Sequence, residues 1–220
     1  MKRHSIPVLV ALLLATAPAL AQQSLSKVNG SITAESGQRY GKLDTVNGSI
    51  KVGEGSETGD IETVNGGIRI DDRARTGSIS TVNGSVRLAR EVIASGGIET
   101  VNGSIFSDRG GQIQGGLETV NGGIGLVESQ VRGDIETVNG DITVGIGSQV
   151  DGGIRVRKPS FSLSLTATRK PRIIIGPNAT VSGSLVFDRE VVLYVHRTAK
   201  IGAVTGTQPV PFDSETAPTD

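Results

Sequence analysis

A short phrase centred on Val-Asn-Gly recurs along most of this chain, and its spacing limits the fold more than any other feature. Successive copies are 18 or 19 residues apart, which is too short for repeats built from pairs of helices, about 34 residues or more. Strand-sized segments fit this interval, because β-branched residues dominate each copy and glycines interrupt it. The asparagines of the seven copies are Asn29, Asn47, Asn65, Asn83, Asn102, Asn121 and Asn139.

Apolar residues keep constant places around each asparagine. Isoleucine or leucine stands four residues before it, valine one before it, and isoleucine or valine three after it. We therefore expect Ile61, Val64 and Ile68 to build the core around Asn65, as their equivalents do in the other copies. In a 19-residue copy, the additional residue is expected between the last of these columns and the first column of the next copy.

This pattern predicts an all-β fold, a single-stranded parallel β-helix. The coils of this triangular β-solenoid have 18–19 residues, and each coil divides into three sides of about six residues and stacks about 4.8 Å above the last. Right-handed coiling is favoured over left-handed.

The first 21 residues are set apart from the repeat. They begin with Lys2 and Arg3, continue with an apolar run and end in Ala19-Leu20-Ala21, the pattern of a secretory signal peptide cleaved after Ala21. The apolar run is too short to span a bilayer, which takes about 20 residues. We expect an exported protein without a transmembrane segment, periplasmic or secreted.

The remaining chain is expected to be one solenoid with a tail. Residues 22–207 form the solenoid, with seven Val-Asn-Gly coils over about 27–154 and less regular coils over about 155–207. Within the second region Phe161, Leu163 and Leu165 alternate with polar residues. Residues 208–220 are rich in proline, acid and small residues, which is typical of a disordered tail.

Composition excludes several classes of function. Loss of Lys2 and Arg3 with the signal peptide leaves a formal charge of −2, whereas nucleic-acid binding requires a strongly basic surface. The chain has no cysteine and no tryptophan, so disulfides, thiolate metal sites and a broad aromatic platform for sugars or bases are absent. No cofactor motif is present.

The Asn-Gly pair is interpreted as a structural corner. This dipeptide readily takes positive φ, and inward-turned asparagines could form hydrogen bonds with one another along the axis. A threonine column precedes it by two residues; if these threonines faced solvent they could order water, as in ice-binding solenoids. Strand alternation favours an inward orientation, which counts against ice binding. The column consists of Thr45, Thr63, Thr81, Thr100, Thr119 and Thr137.

A second column is expected on the outside as a candidate surface ridge. Stacked carboxylates repel one another, and calcium could bridge them. The alternative is a solvated ridge balanced by Lys51, Arg69 and Arg87. The acidic members are Asp44, Glu62, Glu99, Glu118 and Glu136, with Ser80 in the remaining copy.

Catalysis has little support. His196 is the one histidine after residue 21, and it lies in a strand pattern without a partner indicated by spacing. Asp71, Asp72 and Asp108 lie on the looser side, where they could approach one another as acids of a carbohydrate-active β-helix do. We expect no catalytic residues and no metal ligands, and a non-enzymatic protein.

The phrases "GDIETVNGDI" and "TVNGSI" resemble the bacterial β-strand-repeat family classed as candidate adhesins, a domain of unknown function, over about Lys27 to Ile154. The segment "IGPNATVSGSLVF" is similar to coils of bactofilins, cytoskeletal polymers built as triangular β-helices. Both resemblances imply a solenoid. The adhesin resemblance implies a location at the cell surface or in the envelope, whereas bactofilins are cytoplasmic or membrane-face proteins.

We therefore expect an exported scaffold or adhesin-like interaction surface in the bacterial envelope. Its partners would be an envelope protein or polysaccharide, or further copies of the chain at its terminal coils. The alternatives are a polysaccharide- or calcium-binding solenoid and, behind these, a carbohydrate-active enzyme or an ice-binding protein.

Overall fold

A computed structural model describes residues 22–159, 169–214 and 216, and these residues form parallel β-strands without any helix. The strands, numbered in chain order, stack into three parallel sheets. The described residues contain no helix that could cross a membrane.

The first sheet has ten strands and carries the phrase up to Asn. They are β1 (Gln23–Asn29), β3 (Tyr40–Asn47), β5 (Ile61–Asn65), β8 (Ile79–Asn83), β11 (Ile98–Asn102), β14 (Leu117–Asn121), β17 (Ile135–Thr137), β20 (Ile154–Val156), β23 (Leu185–Phe187) and β26 (Val204–Thr205).

The second sheet follows the Asn-Gly corner and also has ten strands. They are β2 (Ile32–Ala34), β4 (Ile50–Val52), β6 (Ile68–Ile70), β9 (Val86–Leu88), β12 (Ile105–Ser107), β15 (Ile124–Leu126), β18 (Ile142–Val144), β21 (Arg172–Ile175), β24 (Val192–His196) and β27 (Pro209–Phe212).

The third sheet closes each coil with shorter strands. They are β7 (Arg75–Thr76), β10 (Ile93–Ala94), β13 (Gln112–Ile113), β16 (Gln130–Val131), β19 (Gln149–Val150), β22 (Thr180–Val181) and β25 (Lys200–Ile201).

Equivalent residues of the repeat pair directly with one another. Asn65 pairs with Asn47 below and Asn83 above, and Ile61 pairs with Ile79. Identical side chains therefore form columns along the axis, and each column is shared by neighbouring coils. This confirms the predicted β-solenoid of stacked parallel strands; its handedness stays a prediction.

Two of the three predicted apolar columns form the core. Burying one isoleucine side chain stabilises a fold by about 1.5–3 kcal/mol. Each column adds one such side chain per coil. The column four residues before Asn is buried at Leu43, Ile61, Ile79, Ile98, Leu117 and Ile135, and the column three residues after it at Ile32, Ile50, Ile68, Val86, Ile105, Ile124 and Ile142.

The prediction for the valine column is wrong. Val64 is 40% exposed, and the valines of four other copies are exposed to a similar or greater degree. Strand alternation continues from the inward Ile61 through the inward Thr63, which leaves Val64 on the outer face. Asn65, the next residue, is also exposed, so the alternation ends at the Asn-Gly corner.

The additional residue of a longer coil lies on the predicted side. Two residues lie between the inward Thr76 and Ile79, whereas three lie between the inward Ala94 and Ile98 in the next coil. The insertion falls at the corner between the third and first sheets, so the core columns stay in register.

Three coils without the Val-Asn-Gly phrase continue the stack, since β20, β23 and β26 extend the first sheet. Phe161, Leu163 and Leu165, predicted as an alternating segment, lie outside the described residues. Pro209–Phe212, which was predicted to lie in the disordered tail, forms β27 and pairs in parallel with β24. Its two prolines are tolerated because β27 is an edge strand, which needs backbone donors on one side only.

Candidate functional site

The seven asparagines form a continuous hydrogen-bonded ladder, but their side chains point outward. The Nδ2 of Asn65 donates to Oδ1 of Asn47 at 2.9 Å, and Nδ2 of Asn83 donates to Asn65 at the same distance. All seven asparagines are exposed. The predicted ladder is therefore present, at the surface and not in the interior. At its upper end Nη1 of Arg189 donates to Oδ1 of Asn139 at 2.6 Å.

The glycine of the phrase is required by close stacking more than by positive φ. Among the seven glycines after these asparagines, Gly30 and Gly122 have positive φ, at 109° and 159°. A Cβ placed on Gly66 would lie 2.0 Å from the carbonyl oxygen of Gly48, and one on Gly84 would lie 2.0 Å from that of Gly66. Any side chain here would drive its coil away from the coil below.

The threonine column points inward and completes the corner. The Oγ1 of Thr63 donates to the carbonyl oxygen of Gly48 at 2.9 Å, and Oγ1 of Thr81 donates to that of Gly66 at 3.0 Å. The threonine hydroxyls are buried, so they present no array to solvent. The orientation favoured by strand alternation is confirmed, and the surface threonine array that ice binding required is absent.

The acidic ridge lies on the outer face of the first sheet, in register from coil to coil. Glu99 pairs with Glu118, and Glu118 with Glu136, in neighbouring strands. Glu62 accepts a hydrogen bond from Nζ of Lys42 at 2.7 Å, and Arg157 contacts both Glu118, at 3.7 Å, and Glu136. These bases offset part of the repulsion between stacked carboxylates.

The bases predicted to balance this ridge lie elsewhere. Lys51 and Arg69 are in β4 and β6 of the second sheet, where both contact Asp71, at 3.4 and 3.0 Å. Arg87 lies 5.0 Å from the ring centre of Phe106 in the same sheet. These three bases are at the surface, as the sequence predicts. They follow the Asn-Gly corner, however, and therefore lie on the second sheet and not beside the ridge on the first.

Hydrogen bonds shift the pKa values of two groups beside the ridge. The hydroxyl and the backbone N–H of Ser78 both donate to Oδ1 of Asp60 at 2.8 Å, and these hydrogen bonds lower the pKa of the Asp60 carboxyl. The hydrogen bond to Glu62 raises the pKa of Lys42. Both effects favour the ionised forms at neutral pH.

Two shallow hollows border the ridge. One, of about 250 Å³, is lined by Glu99, Glu118 and Glu136 with glycines of the neighbouring corner; the other, of about 290 Å³, includes Glu136 and Arg155. Within the described ranges, no group of three or more His, Cys, Asp or Glu side chains is placed to hold a metal ion.

The outer side of the first sheet therefore presents three straight columns, which we call the columned face. It comprises the acidic ridge, the valine column and the asparagine ladder. Sequence reasoning identified the first and last of these but assigned the valines to the core. The exposed members of the valine column are Val28, Val46, Val64, Val82 and Val101.

The acids considered for catalysis are engaged in structural contacts. Asp71 contacts Lys51 and Arg69, and Oδ1 of Asp72 accepts a hydrogen bond from the backbone N–H of Arg90 at 3.0 Å. Oδ1 of Asp108 accepts one from the backbone N–H of the next residue at 2.8 Å. These carboxylates shape the turns between the second and third sheets.

His196 lies at the upper end of the second sheet. Its Nδ1 accepts a hydrogen bond from the backbone N–H of Thr198 at 3.2 Å, and its ring packs edge-on against Phe212 with centroids 5.1 Å apart. None of the three aspartates considered for catalysis is among these contacts.

Comparison of the chain with protein-family models, with curated proteins and with solved structures found no match. The solenoid fold is therefore established by the structure itself.

Proposed function

We propose that this chain is an exported, non-enzymatic β-solenoid that serves as a scaffold or adhesin-like interaction surface in the bacterial cell envelope. The observation that carries the proposal is the columned face, in which carboxylates, valines and amides repeat at strand spacing over successive coils. A partner with a comparable repeat would meet the same chemistry in each coil.

Three features support this role. Residues 1–21 have the pattern of a signal peptide, which implies an envelope or extracellular location. The phrase on which the face is built resembles candidate adhesins. The exposed valines run in one unbroken column, and contiguous apolar surface on a soluble protein is typical of interaction sites.

The interaction is tested by binding of the exported chain, residues 22–220, to isolated cell-wall and outer-membrane fractions. A variant with Val46→Lys, Val64→Lys and Val82→Lys is expected to bind at least about tenfold more weakly, since three charges replace its apolar column. The matched control carries Gln112→Lys, Gln130→Lys and Gln149→Lys on the third sheet and should bind as the unmodified chain does. Equal loss in both variants, or no binding by the unmodified chain, would contradict the proposal.

Export is tested separately. Residues 1–21 fused to a reporter enzyme that is active only after export should direct activity to the periplasm or medium. Replacing the apolar run with polar residues should retain the reporter inside the cell.

A polysaccharide- or calcium-binding solenoid is the second candidate. It is favoured by the two hollows beside the ridge. The stacked carboxylates of Glu99, Glu118 and Glu136 are not placed to hold one ion together, so calcium would bind to one or two of them. Carboxylate oxygens are ligands that calcium prefers. Calorimetric titration with calcium should then give heat that Glu118→Gln abolishes; an absence of heat would remove the calcium form of this candidate.

A further inference from the structure

A trough lies on the outer side of the second sheet near the C-terminal end, remote from the columned face. Its volume is about 770 Å³, within the range of small-molecule sites, about 300–1,000 Å³.

The floor of the trough is made by two stacked glycines. Gly145 follows β18 and Gly176 follows β21, and the backbone N–H of Gly176 donates to the carbonyl of Val144 at 2.8 Å. A Cβ on Gly145 would lie 2.3 Å from the carbonyl oxygen of Leu126. Neither Gly145 nor Gly176 carries a side chain over this stretch of the sheet, whereas the coils below have Val127 and Asp108 at the equivalent positions. The two glycines therefore leave the hollow open.

Apolar side chains form the walls. Ile174 lies on one side, and Ile146 and Pro177 lie on the turns at the other. Ile146 is 49% exposed, so it presents apolar surface at the rim. Phe212 closes the upper end and packs against His196.

Two polar groups that could orient a ligand, His196 and Asp213, lie at this upper end, and Thr143 and Thr216 also line the trough. Because Nδ1 of His196 accepts a hydrogen bond from Thr198, the proton of the neutral ring belongs on Nε2, which can donate to a ligand. Asp213 lines the same end, where its carboxylate accepts, and Arg197 lies 3.4 Å from it. The donor of His196 and the acceptor of Asp213 suit a group that both accepts and donates a hydrogen bond, as a hydroxyl does. Because Arg197 offsets the charge of Asp213, this group is expected to be uncharged.

We propose that the trough binds a single-chain amphiphile with an uncharged, hydroxyl-bearing head group. The alkyl chain lies over Gly145 and Gly176, between Ile174 and the rim formed by Ile146. The head group accepts a hydrogen bond from Nε2 of His196 and donates one to Asp213.

The test uses the full chain and octyl glucoside below its micelle-forming concentration. Binding is followed by calorimetry and by the imidazole NMR signal of His196, assigned as the signal that His196→Gln removes. We expect saturable binding that shifts this signal. Glucose, which has the head group without the chain, should not shift it.

Charged amphiphiles with the same chain separate specific recognition from partition into apolar surface. Octyl sulfate and octyltrimethylammonium are expected to bind at least about tenfold more weakly than octyl glucoside, a difference of about 1.4 kcal/mol. Equal affinity for the three amphiphiles would overturn the proposed head-group recognition, and no saturable binding of octyl glucoside would overturn the site itself.

Two variants locate the site. Ile146→Ser removes an exposed rim side chain and should weaken binding at least about fivefold without loss of fold. Val64→Ser removes a comparable exposed side chain on the columned face and should leave the affinity unchanged. Equal affinity of the unmodified chain and Ile146→Ser would place binding elsewhere and overturn the proposal.

Discussion

At the scale of single residues, each member of the phrase Thr-Val-Asn-Gly has a separate physical task. Thr63 holds the glycine carbonyl of the coil below, Val64 faces solvent, and Asn65 joins the amide ladder. Gly66 leaves room for the neighbouring coil. The residue after this glycine has more room, because the atom nearest to a Cβ on Gly67 would be the carbonyl oxygen of Ser85, at 3.4 Å.

Adjacent glycines provide a matched test of this assignment. Gly66→Ala should lower the free energy of unfolding by about 1–3 kcal/mol, because its Cβ overlaps the carbonyl of Gly48. Gly67→Ala should change it by less than about 0.5 kcal/mol. Urea denaturation followed by circular dichroism measures both, and equal effects would show that stacking is not the constraint at Gly66.

At the scale of elements, columns bind one coil to the next. The asparagine ladder gives an inner member two amide partners, whereas Asn29, at the lower end, is bonded only to the coil above. Each hydrogen bond of an exposed ladder stabilises the fold less than a buried one would, but this ladder extends over seven coils.

Asn83→Ala removes two ladder hydrogen bonds, with Asn65 and Asn102. We expect a loss of about 1–2 kcal/mol in the free energy of unfolding, at about 0.5–1 kcal/mol for each bond. Asn29→Ala removes one and should cost about half as much. The same denaturation measurement applies, and an effect at Asn29 as large as that at Asn83 would contradict a ladder of equal links.

Asp60, in the corner before the first sheet, is expected to make the stability of the fold depend on pH. Because Ser78 lowers the pKa of Asp60 in the folded chain, the stabilisation from this contact is present above the carboxyl's ordinary pKa and is lost as the pH falls through the lowered value. Asp60→Asn should therefore lose less stability than the unmodified chain between pH 7 and acid pH. The difference should be small, because Asp60 is exposed; parallel stability curves for the two proteins would rule the contact out.

At the scale of the whole molecule, the two ends of the stack differ. The lower edge of the first sheet is β1, in which Val28 is 68% exposed. The upper edge of the second sheet is β27, which contains Pro209 and Pro211. Prolines discourage strand addition, whereas an unprotected edge invites it.

Self-association is therefore expected through the lower end. In sedimentation experiments residues 22–220 should form a dimer as concentration rises, and Val28→Lys should shift the equilibrium to monomer, because a charge on an edge strand opposes pairing. Val82→Lys makes the same change inside the stack and should leave the equilibrium unaltered. A monomer at every concentration would exclude end-to-end association.

The sequence by itself determined the period, the three-sided coil and the columns, because parallel stacking requires equivalent residues to meet at every 18 or 19 positions. It also placed the acidic ridge outside and favoured inward threonines, since strand alternation is a local property. The strand at Pro209–Phe212 was not predicted, because a proline-rich segment becomes a strand only where a sheet edge is available to pair with it.

Only the tertiary structure decided which side chains around the corner face solvent and what each corner residue meets. Val64 faces solvent because alternation continues past the inward Thr63, and Gly66 is glycine because the carbonyl of Gly48, in the coil below, lies against its position. Lys51 and Arg69 lie beside Asp71 and not beside the ridge. Such contacts depend on residues one coil away, at a distance that is set by stacking and is not encoded in any single copy of the phrase.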